Sequence, residues 1–251
     1  MAAMRSSRPV LLNSRRCSPA AKRSTPYTNR SYHSYEHDEP PPFNENEKAI
    51  LSAALSHVPA HGFTTTSLSH GARDAGYLDA SVNLFPRGAF DLVIYHLVTQ
   101  RLALKDHVQF PEQKLGVGAK VRLLALQRLW RNKPIIHKWQ EALAVMAQPS
   151  NLPTSLAELA RLSDEIWFLA GDSSVDTSWY TKRAGLSAIY SSTEVFMTQD
   201  TSADFVDTER FFDRQLQVSR TLGGALASIG QWVNFTGHAS TNILRSKGVW
   251  V

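Results

Sequence analysis

A chain of 251 residues, 43% of them hydrophobic, is long enough for one core of ordinary size plus a tail. Its 27 bases exceed its 22 acids, but seven of them (Arg5, Arg8, Arg15, Arg16, Lys22, Arg23 and Arg30) precede the first acid, Glu36; without them 20 bases face 22 acids, a net charge of −2. The basic balance therefore belongs to the tail and says nothing of nucleic acid, while a single cysteine, Cys17, excludes a disulfide framework.

Residues 1–32 are Arg-rich, Ser-rich and free of acids, and they lack the long apolar stretch of a secretory signal. That composition predicts a mitochondrial transit peptide, with Arg30-Ser31-Tyr32 resembling a matrix-protease site cleaved after Tyr32. An ordinary disordered basic tail is the alternative. Removal of this segment takes Cys17 with it, leaving no thiolate nucleophile and no Cys-based zinc site. Residues 33–44 include the acidic, proline-rich run Glu36 to Pro42 and read as a disordered linker.

From Asn44 onward the apolar periodicity is helical and no segment alternates with period two, so the fold class expected is all-α, with no sheet. The first helix is predicted over Glu45 to Val58, ended by Pro59 and turned by Gly62. A short helix follows, capped by Thr66 or Ser67 and closed by Gly76, and a third covers Asp79 to Phe85 before Pro86-Arg87-Gly88 breaks the chain. Longer helices are expected over 90–109, 116–131, 134–147, 153–170, 178–199 and 203–219, with Pro111, Pro134, Pro149 and Pro153 at the joints. A C-terminal amphipathic helix is expected over 221–244, followed by a tail, 245–251.

That last helix carries no Asp, Glu, Lys or Arg between Arg220 and Arg245. Leu222, Leu226, Ile229 and Val233 form one narrow apolar stripe, flanked by Trp232. The segment is too rich in Gly, Ser, Asn and Thr for a convincing membrane span, and an interfacial helix suits it better. A dimer-packing helix remains the competing reading.

Three short helices near the N-terminus, with the pattern A-I-L-x-A-A-L, then G-F, then A-x-x-A-G and L-F, resemble the helix-turn-helix module of TetR repressors over about residues 46–98. Groove binding needs bases to hold phosphates. Here Lys48, Arg73 and Arg87 face Glu45, Glu47, Asp74, Asp79 and Asp91, and the third helix holds an acid and no base. No nucleic-acid partner is expected.

Further strings run in order along the chain. Val58-Pro59-Ala60-His61-Gly62-Phe63 is followed by Leu152-Pro153-Thr154-Ser155-Leu156, Asp164-Glu165-Ile166-Trp167 and Ala170-Gly171-Asp172. Then come Asp176-Thr177-Ser178-Trp179-Tyr180-Thr181-Lys182-Arg183, Ala188-Ile189-Tyr190 and Gln199-Asp200. Together they are similar to the ubiquinone (coenzyme Q) biosynthesis accessory proteins of TetR-like fold. The resemblance implies a TetR-like bundle over 45–220 that binds phospholipid and isoprenoid quinone. It also implies a homodimer lying peripherally on the matrix side of the mitochondrial inner membrane. The implied partner is the di-iron demethoxyubiquinone hydroxylase, together with other ubiquinone-biosynthesis proteins, and the implied role is presentation of its lipid substrate. The hydroxylase-facing patch maps onto Asp164, Ile166, Trp167, Asp176, Trp179, Tyr180 and Arg183. Lipid contact is implied for Arg183, whose guanidinium suits a head group, and is expected for Leu222, Leu226, Ile229, Trp232 and Val233. The bland alternative makes Trp167, Trp179 and Tyr180 core aromatics and pairs Arg183 with Asp176.

No catalytic chemistry is legible. A di-iron carboxylate site in a bundle needs Glu-x-x-His pairs, and no histidine here has Glu three residues before it. Metalloprotease, Walker, nucleophile-elbow and dinucleotide motifs are absent. His57 and His61 are four apart but straddle Pro59, so they are expected to be poor joint ligands. Asp164 and Glu165 are read as surface charge or partner contacts. The expectation is no enzyme, no cofactor and no metal, with a ligand-sensing TetR-type regulator as the second functional reading.

Overall fold

The computed structural model describes residues 43–108, 110, 115–172 and 178–221, and among these every regular element is helical. The order is α1 (Glu45–His61), α2 (Thr65–Asp74), a 3-10 turn (Asp79–Leu84), α3 (Ala89–Leu102), α4 (Leu104–His107) and α5 (Val117–Trp130). A 3-10 turn (Lys133–Ile135), α6 (Ile136–Met146), α7 (Leu152–Leu169), α8 (Ser178–Met197), a 3-10 turn (Ala203–Phe205) and α9 (Val206–Thr221) complete it. The expected transit peptide, the linker up to Pro42, and the C-terminal stripe of Leu222, Leu226, Ile229, Trp232 and Val233 lie outside the described residues, as does Asp176.

Helix α1 begins at a capping box, in which Glu47 accepts from the Asn44 amide at 3.0 Å. It does not stop at Pro59. A proline removes one amide but leaves the carbonyls beyond it usable, and the helix runs another turn until Gly62, whose φ of 72° is open to glycine. The cap of α2 is Thr64, whose hydroxyl accepts from the Ser67 amide, two or three residues before the expected Thr66 or Ser67. The third short helix is a 3-10 turn of six residues with none buried, closed by Pro86 before an α-helix develops. The helix expected over 90–109 divides at Ala103 into α3 and the short α4.

Two apolar clusters organise the bundle. One gathers Ile50, Leu51, Val58, Phe63, Leu68, Leu92, Val93 and Trp139 from α1, α2, α3, α6 and the loop at Phe63. The other gathers Leu124, Leu129, Leu162, Ile166, Leu186, Ile189, Met197 and Phe212 from α5, α7, α8 and α9. Helix α3 is buried on several faces, because its own Phe90, Ile94 and Val98 form a third, smaller cluster with Phe43, Val145 and Met146. The α1–α2 crossing is set by Gly71, where an added Cβ would overlap the backbone of Ala54. Across the other half, Arg122 of α5 grips Asp213 at 2.5 Å and Glu209 at 2.5 Å, holding α9 in place.

Candidate functional site: an aromatic and charged patch on the α7–α8 hairpin

Helices α7 and α8 are joined across a close crossing at which Ser163 Oγ and Ser187 Oγ lie 2.7 Å apart. Their inward faces supply Leu162, Ile166, Leu186 and Ile189 to the core. The outward side brings together residues that are distant in sequence. Helix α7 ends in a glycine cap: Gly171, at φ 84°, donates to Phe168 O, and the Asp172 amide donates to Trp167 O at 3.0 Å. This cap turns Asp172 back over the helix end, where Lys182 Nζ reaches its Oδ1 at 2.8 Å and Arg183 lies 3.5 Å from Oδ2.

Arg183 is the tie of the patch. Its Nε donates to Asp164 Oδ1 at 2.5 Å, its Nη1 to Trp179 O at 3.4 Å, and its guanidinium carbon stacks 3.9 Å above the centre of the Trp179 ring. The stack follows from the helix repeat, since Trp179 and Arg183 are four residues apart. Trp167 donates its indole N–H to Lys182 O at 3.2 Å, and Lys182 Nζ lies 5.4 Å from the centre of its ring. Tyr180 packs edge-on against Trp179, ring centres 4.7 Å apart, and is 66% exposed. Phe168 is exposed on the adjoining turn of α7.

The described patch residues do not all share one surface. Asp164, Trp167, Trp179, Tyr180 and Arg183 converge on one surface. Ile166 turns inward and is fully buried, so it supports the patch from beneath. Arg183 is only 9% exposed, and its guanidinium is already paired with Asp164 and Asp172. A head-group anion would have to displace Asp164 or Asp172 to reach the Arg183 guanidinium. Glu165, expected on the surface, is buried. Asp172 and Lys182 complete the frame; the Gly171-Asp172 pair after an apolar helix was the sequence signal for the cap that places Asp172.

A second polar group lies inside the bundle and was not legible in the sequence. Asn132 Oδ1 accepts from His96 Nε2 at 3.0 Å and from Arg128 Nη1 at 3.1 Å, and Asn132 Nδ2 donates to Glu194 Oε1 at 3.0 Å. All four residues are buried. Among the described residues, Arg128 Nε and Nη2 and the Tyr190 hydroxyl find no hydrogen-bond partner. Burial, reinforced by the nearby Arg128 charge, pushes His96 down to about 3. Burial pushes the Glu194 carboxyl up, against the opposing pull of Arg128 and of the Asn132 hydrogen bond. Elsewhere in the core Arg101 and Glu158 form a buried pair that joins α3 to α7.

Comparison with known proteins supplies the context. The COQ9 family profile matches residues 152–223, which include α7, α8 and α9 and therefore the whole described patch. The chain is 40% identical over 223 residues to "Ubiquinone biosynthesis protein coq9, mitochondrial" of Schizosaccharomyces pombe, covering 88% of each chain. It is 39% identical over 183 residues to the mitochondrial ubiquinone biosynthesis protein COQ9 of Rattus norvegicus, covering 69% of this chain and 58% of the relative. The figures for the Homo sapiens protein are 39% over 183 residues, 69% of this chain and 57% of the relative. With this identity across most of its length, the chain belongs to the COQ9 family of mitochondrial ubiquinone biosynthesis proteins.

Proposed function

We propose that this protein is a non-catalytic accessory factor of ubiquinone biosynthesis, which binds isoprenoid quinone intermediates and phospholipid and presents the quinone to the di-iron demethoxyubiquinone hydroxylase. It acts as a homodimer in mitochondria, peripherally on the matrix face of the inner membrane, and the α7–α8 patch docks the hydroxylase. The observation that carries the docking role is Tyr180: a large aromatic ring, 66% exposed, braced by Trp179, which is in turn held by Arg183 and the Asp164–Asp172 frame. A rigid exposed aromatic pair beside charged residues is the composition of an interface anchor, and its ordering cost is already met before binding. The lipid role is supported by the family, whose product is itself an isoprenoid lipid, and by the uncharged C-terminal segment with its apolar stripe.

The chemistry of the N-terminal module runs against the regulator reading. Arg73 is engaged by both oxygens of Asp79 at 2.6 and 2.7 Å, and Arg87 by Asp91, so two of its bases are neutralised within the module itself.

The test is co-purification of the hydroxylase with wild-type protein and with the Tyr180→Ala variant. Tyr180 is exposed, so the variant should keep its helicity and melting temperature while association weakens by about thirtyfold, the effect of losing an anchor of about 2 kcal/mol. Undiminished association would remove the patch from the interface.

A further inference from the structure

The continuation of α1 through Pro59 has a chemical consequence at the opposite end of the chain from the patch. His57 and His61 fall four residues apart on one helical face, and they meet a second pair with the same spacing, His70 and Asp74, on α2. Helix α2 approaches closely because Gly71 packs directly on Ala54, and it runs so that Asp74 lies against His57 while His70 lies between the two α1 histidines. Ring centres are 5.0 Å apart for His61 and His70, 5.1 Å for His57 and His70, and 6.4 Å for His57 and His61. None of the four residues belongs to the α7–α8 patch.

We propose that His57, His61 and His70 form a binding site for a divalent transition-metal ion of the zinc class, with Asp74 orienting the first of them. Two of the three separations, those made by His70, match the requirement, and the 6.4 Å between His57 and His61 exceeds it. With nitrogen–metal bonds of about 2.0–2.1 Å and tetrahedral angles, imidazole rings around one ion have centres about 5 Å apart. Asp74 Oδ2 lies 2.6 Å from His57 Nε2, which makes that nitrogen the donor and leaves Nδ1 of the same ring as the metal-binding lone pair. A carboxylate holding the far nitrogen of a histidine ligand is the usual support for such sites. In the present rotamers the His61 and His70 rings are stacked, with 24° between their planes, and no group of three ligating side chains converges among the described residues. Ligation therefore requires these partly exposed rings to turn about their side-chain torsions, with the helices left where they are. A fourth position stays open to water. The ion would staple α1 to α2, adding a cross-link to the apolar seam and the His57–Asp74 contact.

The experiment titrates Zn2+ into the untagged full-length protein by calorimetry and repeats the titration with Co2+ followed by visible absorption. The expected result is about one equivalent bound with a dissociation constant on the order of micromolar, and the d–d absorption of a four-coordinate cobalt site. His70→Ala should weaken binding at least tenfold, and Asp74→Asn by roughly ten- to a hundredfold, as expected for loss of the supporting carboxylate. Both variants should retain the metal-free melting temperature, because these side chains are on the surface. Absence of saturable binding, or equal binding by wild type and His70→Ala, would overturn the proposal.

Discussion

Arg101 of α3 and Glu158 of α7 meet at 2.6 Å inside the bundle, 57 positions apart in the chain and both almost fully buried. Arg161 approaches the second oxygen of the same carboxylate at 3.4 Å. Removing the carboxylate takes from Arg101 a buried, charge-assisted hydrogen bond in a medium that solvates its charge poorly. Glu158→Ala is therefore expected to lower stability by about 3–5 kcal/mol, read as the shift in urea midpoint. Arg161→Ala, at the exposed side of the network, should cost less than about 1 kcal/mol. Equal effects of the two would show that the buried charge is not the source.

The α1–α2 crossing predicts an asymmetry between two glycines. A methyl group at Gly71 would overlap Ala54, whereas one at Gly116 meets open space. Gly71→Ala should destabilise by about 1–3 kcal/mol through overpacking, and Gly116→Ala should be close to neutral. Thermal melts of the two variants make the comparison.

The buried polar group predicts two opposed contributions to the pH dependence of stability. His96 is held down to about 3 against an ordinary 6.5, so below pH 6.5 the unfolded chain takes up a proton that the folded chain refuses. Stability should decline by roughly 1.4 kcal/mol per pH unit across that window. The Glu194 carboxyl is shifted the other way: the folded state keeps its proton after the unfolded state has lost it, so its contribution is lost as pH rises through the folded value. Glu194→Gln retains the oxygen that accepts from Asn132 and should remove the loss at rising pH. His96→Gln should flatten the acid side. Denaturant midpoints measured across the pH range test both, and parallel curves for wild type and variants would contradict them.

The C-terminal stripe lies outside the described residues, and its test comes from side-chain chemistry. Burying one Leu or Ile is worth about 1.5–3 kcal/mol. Replacing Leu226 and Ile229 by Ser should weaken flotation with vesicles of mitochondrial lipid composition by one to two orders of magnitude, an expectation from that burial. Salt should matter little to the wild type, because the segment carries no charge. If the double variant still floats but becomes monomeric, the helix is a dimer element.

The all-helical class and most of the joints followed from sequence alone, because apolar spacing near 3.6 residues and the positions of proline and glycine are local properties of the chain. The partition of charge between the tail and the rest was equally plain. The α7–α8 strings carried the patch by resemblance, and the helix repeat already put Trp179 beside Arg183. What sequence could not supply was the partner across space. That Arg183 pairs with Asp164 and Asp172, that Ile166 is fully buried while Trp167 is only partly so, and that Glu165 is buried all depend on how α7 lies against α8. The fate of Pro59 was decided in the same way. A proline costs a helix one hydrogen bond, which apolar packing of Ala54 and Val58 can offset, and the continued helix then aligned His57 and His61 with His70. Local spacing specifies which elements form. The meeting of Arg101 with Glu158, or of Asn132 with Glu194, is a long-range event, decided only when the assembled core brings those buried polar groups together.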